Sequence, residues 1–186
     1  LNLTTGGATN FENLKGSASN ETLNGDSGDN ILYGLAGDDI LNGLGGNDVL
    51  YAYESNGLGG SGASLQPGDD KLYGGAGNDQ LYGSAGANVL DGGTGSDTLT
   101  GGNGSDTFVL RKNDSDASAS AADIITDFTD GTDVFGLVSD LTFDDLTITQ
   151  SDGSAVSSNH TIISRTGEVM AIVQNTSASK ITALDF

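Results

Sequence analysis

The chain has no cysteine, one histidine and one proline, and only six lysines and arginines among 186 residues. Each scarcity excludes something. Zinc and copper sites draw on Cys and His, so neither metal suits this sequence. Nucleic-acid backbones are held by Lys and Arg. With 26 acids against six bases the formal charge is −20, which excludes DNA and RNA as partners and disfavours an anionic membrane surface. No apolar run approaches the roughly 18 residues of a membrane-crossing helix. The opening LNLTTGGATN lacks the basic and apolar regions of an N-terminal export leader. It also lacks an initial Met, and the chain is expected to be a fragment of something longer. His160 has no Ser or Cys nucleophile pattern near it, and there is neither a P-loop nor a G-x-S-x-G elbow. The G-x-G-x-x-G look-alikes open no helix. Absence of Cys is compatible with an oxidising exterior.

Glycine, at 30 residues, and acids are what the chain has in excess, while hydrophobic residues make up 35%. Such a composition alone fits disorder. The arrangement does not, because a nine-residue frame repeats along the chain. The units are GSASNETLN (16–24), GDSGDNILY (25–33), GLAGDDILN (34–42), GLGGNDVLY (43–51), GGAGNDQLY (74–82), GSAGANVLD (83–91), GGTGSDTLT (92–100) and GGNGSDTFV (101–109). Between them QPGDDKLY (66–73) completes a fifth unit that starts at Ala52 and is 13 residues too long, an expanded loop over 52–64. The eighth position reads Leu23, Leu32, Leu41, Leu50, Leu72, Leu81, Leu90, Leu99 and Phe108, apolar without exception. The fourth is Gly except at Ser19. The sixth reads Glu21, Asn30, Asp39, Asp48, Asp70, Asp79, Asn88, Asp97 and Asp106.

Each unit divides into a Gly-rich hexapeptide and a three-residue x-Leu-x. Strand alternation sends the Leu to one side and its neighbours to the other. So short a strand persists only when stacked on copies of itself. The Gly-rich half must turn sharply. Strand, turn, strand, turn makes a coil of 18 residues, with the Leu column as a narrow core between two parallel sheets. Sixth-position acids two units apart then stack at about 4.8 Å, the strand spacing, and bare carboxylates so placed repel. A hard dication with oxygen ligands relieves the repulsion, and Ca²⁺ suits carboxylates and turn carbonyls better than Mg²⁺, which demands octahedral geometry.

The frame GGxGxDxUx resembles the repeats-in-toxin (RTX) calcium-binding nonapeptide over residues 16–109. The resemblance implies an all-β, right-handed parallel β-roll with Ca²⁺ held between loops one coil apart. It implies that both sixth-position side chains serve as ligands, with carbonyls two and four of the upstream loop and one and three of the downstream loop. Carried over, Glu21 pairs with Asp39, with downstream carbonyls from Gly34 and Ala36. Asn30 pairs with Asp48 through Asp26, Gly28, Gly43 and Gly45. Asp39 pairs with Asp70 through Leu35 and Gly37, with downstream carbonyls near Leu65 and Pro67. Asp48 pairs with Asp79 through Leu44, Gly46, Gly74 and Ala76. Asp70 pairs with Asn88 through Gly68, Gly83 and Ala85. Asp79 pairs with Asp97 through Gly75, Gly77, Gly92 and Thr94. Asn88 pairs with Asp106 through Ser84, Gly86, Gly101 and Asn103. That is about seven ions with six or so oxygens each. The two gaps that include Asn88 hold one carboxylate each and are expected to fill at higher Ca²⁺.

After Phe108 the frame stops. RKNDSDASASAA (111–122) reads as a connector. DIITDFTDGTDVFGL (123–137) resembles the family segment that covers the open end of the roll. Asp123, Asp127 or Asp133 then either completes a last metal site with Asp97 or is a solvated turn acid. Ile124, Ile125, Phe128, Val134 and Phe135 are expected to plug the Leu column. LTFDDLTITQ, HTIISRT, EVMAIVQ and KITALDF read as strands of a β cap (110–186), and the closing ITALDF resembles an uncleaved C-terminal secretion signal. Residues 1–15, with Leu3, Phe11 and Leu14, are a partial coil or the stub of an upstream domain.

The expectation is a calcium-driven module of a larger secreted bacterial protein, exported by a type I ABC transporter, with no catalytic residues of its own. Ca²⁺ binding only the folded form makes binding free energy folding free energy. The alternative is a polysaccharide-binding or adhesive module, using Ca²⁺ bridging or a stripe of Tyr33, Tyr51 and Tyr82 with Tyr73 nearby. Packing of the sheet surface is the preferred reading of that stripe.

Overall fold

The computed structural model describes residues 13–53, 68–111, 122–138, 141–151 and 159–186. In chain order the first strands are β1 (Asn13–Lys15), β2 (Thr22–Asn24), β3 (Ile31–Tyr33), β4 (Ile40–Gly45) and β5 (Val49–Tyr51). There follow β6 (Lys71–Ala76), β7 (Gln80–Tyr82), β8 (Val89–Thr94), β9 (Thr98–Thr100) and β10 (Thr107–Leu110). The last are β11 (Asp123–Ile125), β12 (Val134–Leu137), β13 (Thr147–Gln150), β14 (Thr161–Arg165) and β15 (Glu168–Val173). Alternate strands fall into two sheets, ordered β1-β3-β5-β7-β9-β11-β15-β14-β13 and β12-β10-β8-β6-β4-β2. All pairings from β1 to β12 are parallel. The chain is a parallel β-roll.

The eighth-position residues from Leu23 to Phe108 line up one over another between the sheets and are at most 1% exposed. Fully burying such a side chain contributes about 1.5–3 kcal/mol. One Leu per strand is a thin core, so much of the holding must come from the loops. The expanded loop leaves register untouched. Leu41 pairs with Leu72 and Leu50 with Leu81, as Leu23 pairs with Leu41. A single lengthening at the roll's edge shifts both columns equally. Residues 54–67, which take in most of that loop with Leu65 and Pro67, lie outside the described residues, as do Leu3, Phe11 and residues 112–121. At the other end Leu14 of β1 pairs with Leu32, which extends the roll by a partial coil.

The parallel pairing does not end with the nonapeptide frame. Ile125 of β11 lies over Leu99, and Phe135 of β12 over Phe108. The coil spacing there is 26 and 27 residues instead of 18, which hides these two coils from a strict nine-residue period. Of the five residues expected to plug the column, Ile125, Phe128 and Phe135 do so. Ile124 and Val134 do not: strand alternation turns them outward, and Val134 is 38% exposed.

β15 then adds parallel to β11, and β14 and β13 follow antiparallel. KITALDF, read as a strand from the sequence, starts at the end of one short 3-10 turn, Ala178–Lys180, and contains a second, Ala183–Asp185. Thr182 and Asp185 form a capping box there, with the Thr182 N–H donating to Asp185 Oδ2 at 2.7 Å. Ile181 and Phe186 anchor the turns. Phe186 stacks on Phe135 at 5.0 Å, and Phe135 on Phe128 at 4.6 Å.

Candidate metal centre

The sixth-position residues form one ladder along each edge of the roll. In every step the backbone N–H of one residue donates to the side chain one coil on. Along one edge Glu21 donates to Asp39 (2.9 Å), Asp39 to Asp70 (2.7 Å), Asp70 to Asn88 (3.0 Å) and Asn88 to Asp106 (2.9 Å). Along the other Asn30 donates to Asp48 (2.7 Å), Asp48 to Asp79 (2.6 Å) and Asp79 to Asp97 (2.7 Å). All the pairs read from the repeat are therefore neighbours in space. Two more steps follow: Asp97 N–H to Asp123 Oδ1 at 2.9 Å, and Asp106 N–H to Asp133 Oδ1 at 3.0 Å. Asp133 thus faces Asp106 and not Asp97, because β11 and β12 continue the two sheets separately. Asp127 accepts the N–H groups of Gly101 and Gly102.

These bonds use one carboxylate oxygen. The other, Oδ2, is buried without a hydrogen-bond partner in Asp39, Asp48, Asp79, Asp97 and Asp106. An uncompensated buried carboxylate oxygen is costly. Burial accordingly pushes these carboxyls up from 3.8, opposed by the N–H bonds and reinforced by neighbouring acids. Asp39 and Asp79 reach about 6, Asp48, Asp70 and Asp97 about 7, and Asp106 is also raised. Such groups call for a proton or a metal cation.

The carbonyls that surround Oδ2 can be located from the glycines. A Cβ at Gly43 would collide with Asp48 Oδ2 and with the carbonyl oxygen of Gly74, one coil on. Gly74 stands the same way against Asp79 Oδ2 and the Gly92 carbonyl. First-position carbonyls of the downstream loop therefore face the upstream acid. Fourth-position carbonyls of the upstream loop face downstream: a Cβ at Gly77 would collide with the Gly46 oxygen, and Gly77 has φ 132° besides. From Leu35 onward the described second positions also have positive φ, even where they are Leu35, Leu44 and Ser84. There the loop's turn overrides the residue's preference. Where both sixth-position residues are Asp, the donor set of the gap is carboxylate and carbonyl oxygen only, which fits Ca²⁺. Among the described residues no three His, Cys, Asp or Glu side chains gather, so a bound ion must draw on main-chain oxygens. The carbonyls of Asp26, Ser84, Thr94 and Asn103 already accept a backbone N–H and keep one lone pair each.

The end loops differ. Glu21 accepts from Ser17 N–H at 2.9 Å and from the Ser17 hydroxyl. Asn30 Oδ1 accepts from Asp26 N–H at 2.8 Å, and Asp133 Oδ2 from Thr129 N–H at 2.7 Å. Their own loops satisfy them.

A second ladder runs at the fifth position, with the opposite sense. Here the downstream N–H donates to the upstream side chain: Asp38 to Asn20, Asn47 to Asp29, Asp69 to Asp38, Asn78 to Asn47, Ala87 to Asp69 and Ser96 to Asn78. The frame had no assigned role for this position. The signal was there, since six of its nine residues are Asn or Asp.

Tyr33, Tyr51 and Tyr82 stack on one sheet at 5.1 and 4.9 Å with their ring planes nearly parallel, and Lys15 lies over Tyr33. His160 Nδ1 accepts the Asn175 N–H. Among the described residues no helix is long and apolar enough to cross a membrane.

A family described as the RTX calcium-binding nonapeptide repeat matches residues 15–50, 66–90 and 82–111. None of the curated proteins matches the chain. Among solved structures the chain is similar to the AlgE6R3 subunit of the Azotobacter vinelandii mannuronan C5-epimerase. Identity is 22% and the TM-score 0.36, with 91% of this chain and 78% of that one covered. It is also similar to the extracellular lipase LipA of Serratia marcescens. Identity there is 18% and the TM-score 0.44, with 96% of this chain covered but only 40% of the lipase's length. The matched stretches and the ladders they build belong to the RTX calcium-binding nonapeptide repeats, a structural calcium-binding module.

Proposed function

We propose that Ca²⁺ occupies the gaps between stacked sixth-position residues, and that its binding drives the roll to fold. The five buried Oδ2 atoms without a partner carry this reading. Asp97–Asp123 extends the pairs counted from the repeats, whereas Asp133 has both oxygens bonded within the protein. When bound, the ion supplies positive charge between carboxylates that otherwise repel. The residues hold it with Oδ2 and loop carbonyls while Oδ1 keeps the backbone ladder closed. Binding restricted to the folded form stabilises it by mass action.

In this reading the chain is the export and folding module of a larger secreted protein, and any catalytic domain lies outside it. At low Ca²⁺ the acids keep the roll open, which suits passage through a type I transporter. ITALDF serves as the export signal in the open chain. The stacked tyrosines favour sheet packing over a sugar platform, because their ring faces are turned to one another.

Circular dichroism across a Ca²⁺ titration, with a chelator control, tests the reading. Strand signal should rise with Ca²⁺ and collapse with chelator to the contribution of the cap. A signal identical at zero Ca²⁺ removes the folding switch.

A further inference from the structure

Asn88 is the one interior residue of either ladder that is not an acid, and its amide has a definite orientation. Oδ1 accepts the Asp70 N–H at 3.0 Å, as a ladder carboxylate does. Nδ2 therefore occupies the place where the other interior loops set Oδ2. A Cβ at Gly83 would stand 2.9 Å from Asn88 Nδ2, just as Cβ atoms at Gly34, Gly43, Gly74 and Gly92 would run into Oδ2 of their own loops. From there Nδ2 donates to Asp106 Oδ1 at 3.1 Å and to the Gly86 carbonyl at 3.3 Å. Asn88 is fully buried.

An amide nitrogen carries hydrogens and offers no lone pair to a cation. Turning the amide over would put Nδ2 against the Asp70 N–H, donor to donor, and Oδ1 against Asp106 Oδ1, acceptor to acceptor. The ladder bond from Asp70 and the amide bond to Asp106 would both be lost in a buried site, where unmade hydrogen bonds are most costly. The orientation is thus dictated by the partners on either side.

We infer that the gap between Asn88 and Asp106 takes no calcium ion: the Asn88 amide bridges it where an ion bridges the other interior gaps. The inference rests on the calcium reading above and departs from the expectation that this gap fills at higher Ca²⁺. Asn88 is then a calcium-independent seam in an otherwise calcium-dependent roll. Substituting Asp for it restores a carboxylate oxygen to the gap and creates a site.

The test is calcium stoichiometry by calorimetry on the full chain and on Asn88→Asp, both at saturating Ca²⁺ with folding checked by circular dichroism. The variant should bind one more ion than the wild type. The dependence of its stability on log Ca²⁺ should be steeper by one ion. Equal ion counts overturn the inference while leaving the calcium reading intact. Should the wild type bind no Ca²⁺, the calcium reading itself fails. A second measurement, on the folded wild type, decides the bridge in any case. The Asn88 side-chain amide protons should persist in deuterated buffer far longer than those of exposed Asn175. Exchange as fast as Asn175 shows that the amide does not close the gap, and overturns the inference.

Discussion

The roll and the cap bury acids in opposite ways. In the cap, Asp133 and Asp185 are buried and each accepts backbone N–H groups from its own turn. Around them an aromatic cluster links Phe108, Phe128, Phe135, Phe186 and Phe143. In the roll, the core is a single file of Leu, and five carboxylate oxygens are buried with nothing to bond. One region satisfies its buried acids from its own atoms, whereas the other leaves carboxylate oxygens open to an added cation. The cap is expected to keep its strands in chelator, and the roll to lose them.

The widest test of that contrast is pH in the absence of Ca²⁺. The roll carboxyls are raised in the folded form from 3.8 to about 6 or 7. The folded roll then holds protons that the unfolded chain has given up. Stability of the metal-free roll therefore falls as pH rises from about 4 to about 7, and is flat outside that window. Chelated protein should gain strand signal as pH is lowered from 8 to 5. A flat signal over that range breaks the contrast.

Phe135→Ala comes next in size. It removes the ring on which Phe128 and Phe186 stack, and should cost about 3–5 kcal/mol by urea denaturation of the chelated protein. If the residual strand structure is unaffected, the cap core is not what survives chelation. The smallest effect is expected from Tyr51→Ala, which breaks two ring stacks on the roll's outer face. It should cost about 0.5–1.5 kcal/mol per lost stack in saturating Ca²⁺ and leave the Ca²⁺ midpoint nearly unchanged. A large shift in midpoint would mean that the outer face, and not only the edges, is coupled to the metal.

Much of this was legible in the sequence where a column repeats. The apolar eighth position placed the core, the acidic sixth placed both ladders, and the phase on either side of residues 52–64 showed a register-neutral insertion. What was illegible lies where the period breaks. Asp123 and Asp133 continue the ladders, but a longer connector and a loop over 127–133 with one extra residue take them out of frame. KITALDF has the composition of a strand, yet the Thr182–Asp185 capping box turns it. The direction of the Asn88 amide depends on Asp70 and Asp106 together, residues 18 positions away on either side, which no local pattern encodes.

The fifth- and sixth-position ladders run with opposite donor sense. The junctions from Asn20 to Ser96 are thus latched from both sides, like a zip whose teeth hook in both directions, whereas the Asn88–Asp106 junction has only the sixth-position ladder bond because Ala87 offers no side-chain acceptor. A pull along the roll axis loads these junctions in series, each carrying the whole force. The force at which the module yields is set by its weakest junction and not by the sum of the strong ones. With ions in the neighbouring gaps, the junction that the Asn88 amide closes would be the designated place to part.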